Sequence, residues 1–241
     1  DYTKTSTRLF TTYFLQQYAD WCHKNNLLLT GHLSAEGVLF HHTVRMGDFY
    51  EALSKFDIPG VDNIVSKPGM HKDYAAYEAK LTASVAKFAG KDKTMCETFS
   101  GSGWDLSIDD AKFIINEIMC LGISYIIYMT AAYSLNDLRS VFPVSYPPSH
   151  GYNNPLFKFY NVLTDYTAVR ASLMSQTKAC GHVLLMLPQI DAWTHLSTSM
   201  LGTRRNSCWM YASFGFTKKS VEYDIFFEPL AKESKIENGK F

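Results

Sequence analysis

Short apolar runs that alternate with helical patterns limit the folds open to this chain of 241 residues. Continuous apolar runs such as residues 27–33, LLLTGHL, and residues 123–129, ISYIIYM, are typical of strands that are buried on both faces. Stretches with helical periodicity lie between such runs, among them residues 73–89 and 108–121. This alternation of strand and helix predicts a parallel α/β sheet or barrel.

Periodicity and turn residues also place the remaining elements. Helices are predicted at residues 9–24, 48–56, 73–89, 108–121 and 155–180, and strands at residues 27–33, 59–65, 93–98, 123–129 and 182–188; a strand, a short helix and a turn at Asn238-Gly239 follow in the tail. A loop rich in Pro, Ser, Tyr and Asn, residues 135–154, predicts a boundary between two α/β units, residues 1–150 and 151–241. Because helical pattern begins at once and the tail ends without a cap, we expect a fragment of a longer protein.

Charge and composition argue against several classes of partner. Basic and acidic residues balance at 23 each and no basic run forms a patch, so nucleic-acid binding is not expected. No apolar run reaches the ~18 residues of a membrane span. The aromatic content of 15% is high, and most of it is expected in the core, although a carbohydrate cleft also needs aromatic rings.

The five cysteines are widely spaced and form no CxxC motif, which argues against a zinc ribbon or a redox motif. We expect mostly buried free thiols. Cys96 precedes Glu97 in a predicted strand, so the two side chains should point to opposite sides, and a buried thiol is favoured over a nucleophile.

Polar and acidic side chains follow several predicted strands at their C-terminal ends. They are His32 and Glu36 after the first strand, Asp62 in the second, Glu97 at the end of the third, and Tyr133 and Ser134 after the fourth. In a parallel barrel these ends gather on the face that carries active sites. Because a carboxylate is costly to bury without a purpose, two facing carboxylates indicate acid–base or nucleophilic work on a glycosidic bond. The small residues after Glu97 would leave room for a ligand, with Trp104 as a stacking wall.

Each of these residues also has a structural interpretation. A single Glu at a strand end is often a salt-bridge partner or a helix cap, Asp62 can orient a neighbour, and Trp104 can anchor a loop. The histidines have no HxH or HExxH spacing, so no metal site is expected.

Three segments carry a resemblance to a known family. They read LLLTGHLSAEG, then GDFYEALSKFDIPGVDNI, then SVAKFAGKDKTMCETFSGSGWDLSIDDAKFIINEIMCLGISYIIYMTAAYS. They resemble the catalytic barrel of large bacterial glycoside hydrolases, in particular the α-L-rhamnosidases of glycoside hydrolase family 106 and similar proteins. The resemblance covers residues 10–190 nearly in order. The segment NPLFKFYNVLTDYTAVRASLMSQTKACGHVLLMLP resembles the family's exit from the barrel into a Rossmann-like domain.

The resemblance implies a fold and a set of roles. Residues 1–150 would be the C-terminal part of a (β/α)8 TIM-type barrel, and residues 151–241 a barrel-exit helix and a truncated Rossmann-like domain. Glu97 would be one catalytic carboxylate, and Glu36 the second one or a substrate-binding acid, unless the second acid lies in the missing barrel strands. His32, Asp62, Trp104 and Tyr133 would line the sugar subsite.

Further implications concern chemistry and location. The family inverts at the anomeric carbon, it allows calcium with no ligand assigned here, and it implies a periplasmic or secreted parent rather than a cytoplasmic one. The chain departs from the family at Ser124 and Met129, where an Asn and a His are usual, which affects the expected activity or substrate.

Three hypotheses follow. The first is a glycoside hydrolase fragment that acts on a polysaccharide or glycoconjugate. The second is a non-catalytic glycan-binding or degenerate barrel, for which Ser124 and Met129 would be the signature. The third is an α/β scaffold, in which Glu36 and Glu97 would point to different surfaces or pair with Lys or Arg. The positions of Glu36, Asp62 and Glu97 distinguish the three.

Overall fold

The computed structural model describes residues 2–63, 72–131, 146–194, 199–232 and 234–235. The chain opens with helix α1 (Tyr2–Phe10), a π-helical turn (Thr11–Leu15) and helix α2 (Gln16–Lys24). The buried side chains of this helical segment are small or aliphatic. Tyr13, Phe14 and Trp21 are all at least half exposed to solvent.

Four parallel strands form the first sheet, in the order β1 (Thr30–Gly31), β2 (Ile58–Asn63), β3 (Met95–Thr98) and β4 (Tyr125–Tyr128). Helices α3 (Leu39–Met46) and α4 (Phe49–Leu53) connect β1 to β2, α5 (Lys72–Phe88) connects β2 to β3, and α6 (Ile108–Cys120) connects β3 to β4. The sheet is curled like half of a barrel. Its parallel strands, connected by helices, confirm the α/β class.

Local sequence signals explain where α6 begins and ends. Ser107 has extended backbone dihedrals, and its side chain accepts a hydrogen bond from the Asp110 backbone N–H at 3.0 Å, which is typical of a helix N-cap. Gly122 follows the helix with φ of +104°, a conformation that glycine adopts without steric cost. The chain then turns directly into β4.

A second sheet contains two parallel strands, β5 (Val183–Leu187) and β6 (Tyr223–Phe227). A 3-10 turn (Phe157–Phe159) and α7 (Tyr160–Met174) precede it, α8 (Gln189–Thr194) and α9 (Ser199–Lys218) join its strands, and a 3-10 turn (Glu228–Lys232) follows. Helix α7 ends six residues earlier than the predicted Cys180. The predicted turn at Asn238-Gly239 lies outside the described residues.

Helix α5 is shared by both sheets. Ile225 and Phe227 of β6 belong to the same buried cluster as Leu81 and Val85 of α5. The Ile225 backbone N–H donates to the buried Ser84 hydroxyl at 2.8 Å. The two units predicted from the sequence therefore meet along one helix, while their separation as domains stays a prediction.

The cysteines differ from expectation. All five are free, but only Cys96 is buried; Cys22 is half-buried, and Cys120, Cys180 and Cys208 are exposed. Most of these thiols lie on the outer surfaces of helices and loops, so the prediction of mostly buried thiols was wrong. Cys96 packs in the core, on the side of β3 away from Glu97, as expected.

Among the helices of the described residues, none combines the length and the apolar character needed to cross a bilayer.

Candidate functional site

The carboxyl ends of β1, β2 and β3 bring three predicted site residues together. Asp62 and Glu97 occupy paired positions on neighbouring parallel strands, so their side chains emerge side by side. His32 follows β1, which ends at Gly31 with φ of +152°. One nitrogen of His32 and one carboxylate oxygen from each acid lie within 4.8 Å of one another. The strand ends therefore converge as the sequence predicted.

His32 bridges two carboxylates. Its Nε2 lies 2.8 Å from Glu97 Oε2, and its Nδ1 lies 3.1 Å from Glu36 Oε1 and 2.7 Å from the Leu33 carbonyl oxygen. Because a carbonyl oxygen only accepts, Nδ1 must carry a proton. The imidazole therefore links Glu36 and Glu97, the two carboxylates that the sequence predicts to face each other.

The surroundings of His32 favour its charged form. The hydrogen bond to Glu36 is the largest influence, burial partly opposes it, and the Leu33 carbonyl and the charges of Glu36 and Asp62 add to it. Together they raise the pKa of His32 to about 9. At neutral pH the ring is an imidazolium that donates to Glu36 on one side and to Glu97 on the other.

Glu78 is a further acid of this site that sequence reasoning missed. It lies on α5, half-buried, with its carboxyl group against Gly37, the residue after Glu36. Burial raises the pKa of Glu78 well above its ordinary value, and the negative charges of Glu36 and Asp62 raise it further. A signal was present in the sequence, because Glu78 shares a helical face with the core residues Leu81 and Val85.

The loop after Glu97 is packed rather than open. Phe99 is buried with φ of +81°, the Ser100 hydroxyl donates to the Tyr146 carbonyl oxygen at 3.1 Å, and the Gly103 N–H donates to the Pro147 carbonyl oxygen at 2.9 Å. The small residues thus let a second loop approach closely. The expectation that they leave room for a ligand is not supported at these contacts.

Trp104 and Tyr133 are the two remaining residues that the resemblance implies in the sugar subsite. Trp104 ends the packed loop with 51% of its surface exposed. Its role as a stacking wall stays a prediction. Tyr133, like Ser134, lies outside the residues that the structure describes.

Ser124, one of the two departures from the family pattern, lies far from these acids along its strand. It precedes β4, and its hydroxyl accepts a hydrogen bond from the Thr94 N–H at 3.0 Å, while its own N–H donates to the Thr94 hydroxyl at 3.0 Å. Both residues stand at the amino ends of β3 and β4, the opposite edge of the sheet from Glu97. Ser124 therefore fastens two strands, and the interpretation that an amide is lost near the site was wrong for this position.

The second departure, Met129, has an imidazole beside it from elsewhere in the chain. The backbone N–H of His150 donates to the Thr130 carbonyl oxygen at 3.0 Å, its ring hydrogen-bonds the Met129 backbone, and its Nδ1 lies 2.9 Å from the Tyr160 hydroxyl. The ring packs on Phe99 with centroids 5.8 Å apart. Burial lowers the pKa of His150 to about 4, so this ring is neutral and belongs to a buried aromatic cluster.

A calcium site does not fit the described residues as they stand. His32, Asp62 and Glu97 form a group whose ligand atoms are close enough for a metal, but calcium takes oxygen ligands and one of these three ligands is an imidazole nitrogen. The two remaining carboxylates fall short of the six to eight oxygens that calcium takes.

No protein-family model and no curated protein matches the sequence. Among solved structures, the chain is similar to a rhamnosidase from Novosphingobium sp. PP1Y, with a TM-score of 0.60 and 19% identity. The similarity covers 77% of this chain and 18% of the rhamnosidase chain. At this identity it shows a shared fold, and this chain spans less than a fifth of the length of that structure.

Proposed function

We propose that this chain is part of a glycoside hydrolase, with an α-L-rhamnoside or a related glycoside in a polysaccharide or glycoconjugate as its substrate. The observation that carries the proposal is the convergence of Glu36, Asp62 and Glu97 on one protonated histidine at the carboxyl edge of a parallel sheet. Barrel enzymes place their active sites at this edge. The shared fold with a rhamnosidase supports the choice of reaction.

Glu97 is the residue that we assign to the chemistry, as base or nucleophile. It is partly exposed, with 24% of its side chain accessible, so it can reach a substrate. The His32 imidazolium donates a hydrogen bond to Glu97, and both roles use the carboxylate form of this side chain. Retaining enzymes hold their two carboxyl groups ~5–5.5 Å apart and inverting enzymes ~6.5–9.5 Å apart.

Glu36 and Asp62 divide the remaining work. Asp62 has an oxygen within 4.8 Å of Glu97, so we propose that it binds sugar hydroxyls at the same subsite. Glu36 is only 4% exposed. This burial favours a role in orienting His32 over direct contact with the glycosidic oxygen. A general acid from another part of a parent protein would then complete the pair. The proposed reaction needs no cofactor, because carboxyl groups supply both proton transfers.

The test is release of reducing sugar from a panel of glycans and aryl glycosides that includes α-L-rhamnosides. Glu97→Gln keeps the shape of the side chain and removes its charge, so we expect a loss of activity on the order of 10²–10⁴-fold. The exposed Glu51→Gln in α4 is the matched control and should retain activity. Equal turnover by the protein and by Glu97→Gln would refute the assignment.

A second candidate function is sugar binding without turnover. The observation in its favour is Met129, at the point where the resemblance expects a His, together with the burial of the nearby His150 in an aromatic cluster. This function predicts that calorimetry detects binding of a glycan that the protein leaves intact. Hydrolysis of any glycan in the panel would decide against it.

A further inference from the structure

Glu78 and Gly37 are in unusually close contact. A Cβ atom built on residue 37 would lie 3.0 Å from Glu78 Cδ and would overlap the carboxyl oxygen. Only a residue without a side chain leaves space for the carboxyl group at this distance. The contact therefore joins α5 to the peptide that follows Glu36.

Glu36 depends on this peptide for its position. It lies in the loop between β1 and α3, and its side chain is buried beside His32. The backbone on its C-terminal side is the part that meets Glu78. Because Gly37 follows Glu36 directly, a displacement of Gly37 would also change the distance from Glu36 to the imidazole.

We propose that Glu78 is a positioning residue, whose carboxyl group packs on Gly37 and thereby holds the neighbouring Glu36 against His32. The role goes beyond the proposed function and deepens it, because it concerns how the same site keeps its central histidine charged. It assigns no contact between Glu78 and a substrate.

The charge state of Glu78 agrees with this role. The charged groups that act on it are Glu36, from the loop, and Asp62, from β2, and both are negative. A further carboxylate there would repel the two acids. Burial and these charges raise the pKa of Glu78 and so favour its protonated form at this place.

The experiment follows the pKa of His32 by NMR, with labelled histidines and with His32→Gln to identify the resonance. In the unaltered protein we expect a value of about 9. Glu78→Gln is neutral and of similar shape, so it should leave the value unchanged. Glu78→Ala frees the Glu36 loop and should lower the pKa of His32 by about 1, the size typical of a weakened ion pair.

Two outcomes would overturn the proposal. One is a folded Glu78→Ala variant whose His32 titrates as in the unaltered protein. The other is a Glu78→Gln variant that lowers the pKa as much as Glu78→Ala does, since that result would require a charged Glu78. Neither readout depends on turnover, so a failure of the glycosidase proposal is recognised separately, by the absence of hydrolysis.

A second variant covers the case in which Glu78→Ala does not fold. Gly37→Ala forces the Glu78 carboxyl aside and should also lower the pKa of His32. The double variant Gly37→Ala/Glu78→Gly removes the overlap. The pKa of His32 in this double variant should be no lower than in Gly37→Ala alone. Such a non-additive result is expected of residues in contact. Additive effects would contradict the contact.

Discussion

His32 holds a proton between two acids, and this arrangement gives the site its electrostatic character. With the ring charged, Glu97 has a fixed donor on one side and an open side toward solvent. Glu36 has its partner inside the protein. His32 thus lies between the buried carboxylate of Glu36, which orients the imidazole, and the partly exposed carboxylate of Glu97, which can reach a substrate.

The raised pKa of His32 makes a prediction about stability and pH. Its pKa in the folded protein is about 9, above the ordinary value of 6.5, so the folded state binds this proton more tightly than the unfolded state. The stabilisation is complete below about pH 6.5 and is lost as pH rises through about 9. The upper bound of this stabilisation is about 3.5 kcal/mol, from ~1.4 kcal/mol per tenfold change in proton affinity.

Urea unfolding of His32→Gln across pH 5–10 tests this prediction, with the exposed His41→Gln as control. The difference in unfolding free energy between the protein and His32→Gln should be largest below about pH 6.5 and should shrink toward pH 10. A difference that stays constant with pH would show that His32 is not held as an imidazolium.

The sequence could predict the acids at strand ends but not their partners. Parallel strands present their carboxyl ends at the same edge of a sheet, so the sequence predicts that His32, Asp62 and Glu97 lie close together. Glu78 could not be found in the same way, because it comes from a helix whose rotation depends on packing. The link from Glu36 through His32 to Glu97 depends on loop geometry, which side-chain spacing alone does not determine.

At the level of elements, β3 and β4 are fastened by reciprocal hydrogen bonds between Thr94 and Ser124, both buried. Ser124→Ala removes the acceptor of the Thr94 N–H and leaves that group buried and unpaired. We expect a loss of about 1–3 kcal/mol of stability. Urea denaturation should show this loss, with little change in the exposed control Ser175→Ala. An unaltered midpoint would argue against the role of Ser124 in fastening the strands.

Most elements of the first sheet were predictable, since buried strands and capped helices carry strong local signals. The element β1 is much shorter than its apolar run, because Gly31 turns the chain out of the sheet. Helix α9 was missed because it contains Gly202 and Gly215 and has no clear apolar stripe. The short α3 was also missed, since no N-cap side chain marks its start.

At the scale of the whole molecule, α5 couples the two sheets. Its Lys87 forms an ion pair with the buried Asp224 of β6, and Lys80 forms another with Glu222. The apolar cluster that contains Phe227 extends to Phe49 and Leu53 of α4. The second sheet therefore covers apolar surface on which the first sheet also depends.

This coupling predicts one unfolding transition for both parts. Phe227→Ala should cost about 3–5 kcal/mol, the range for a buried aromatic residue. The cost should appear equally in the fluorescence of Trp104, near the first sheet, and of Trp209, on α9, each measured with the other tryptophans replaced by Phe. A shift confined to Trp209 would mean that the two units unfold separately.

The most direct test of the account is chemical rescue of Glu97→Ala by azide, on an aryl glycoside that the unaltered protein hydrolyses. If Glu97 is a base or a nucleophile, azide replaces either the activated water or the carboxylate itself. The account predicts restored turnover and a glycosyl azide of inverted anomeric configuration, identified by proton NMR. A glycosyl azide of retained configuration, or full activity of Glu97→Ala without azide, would contradict it.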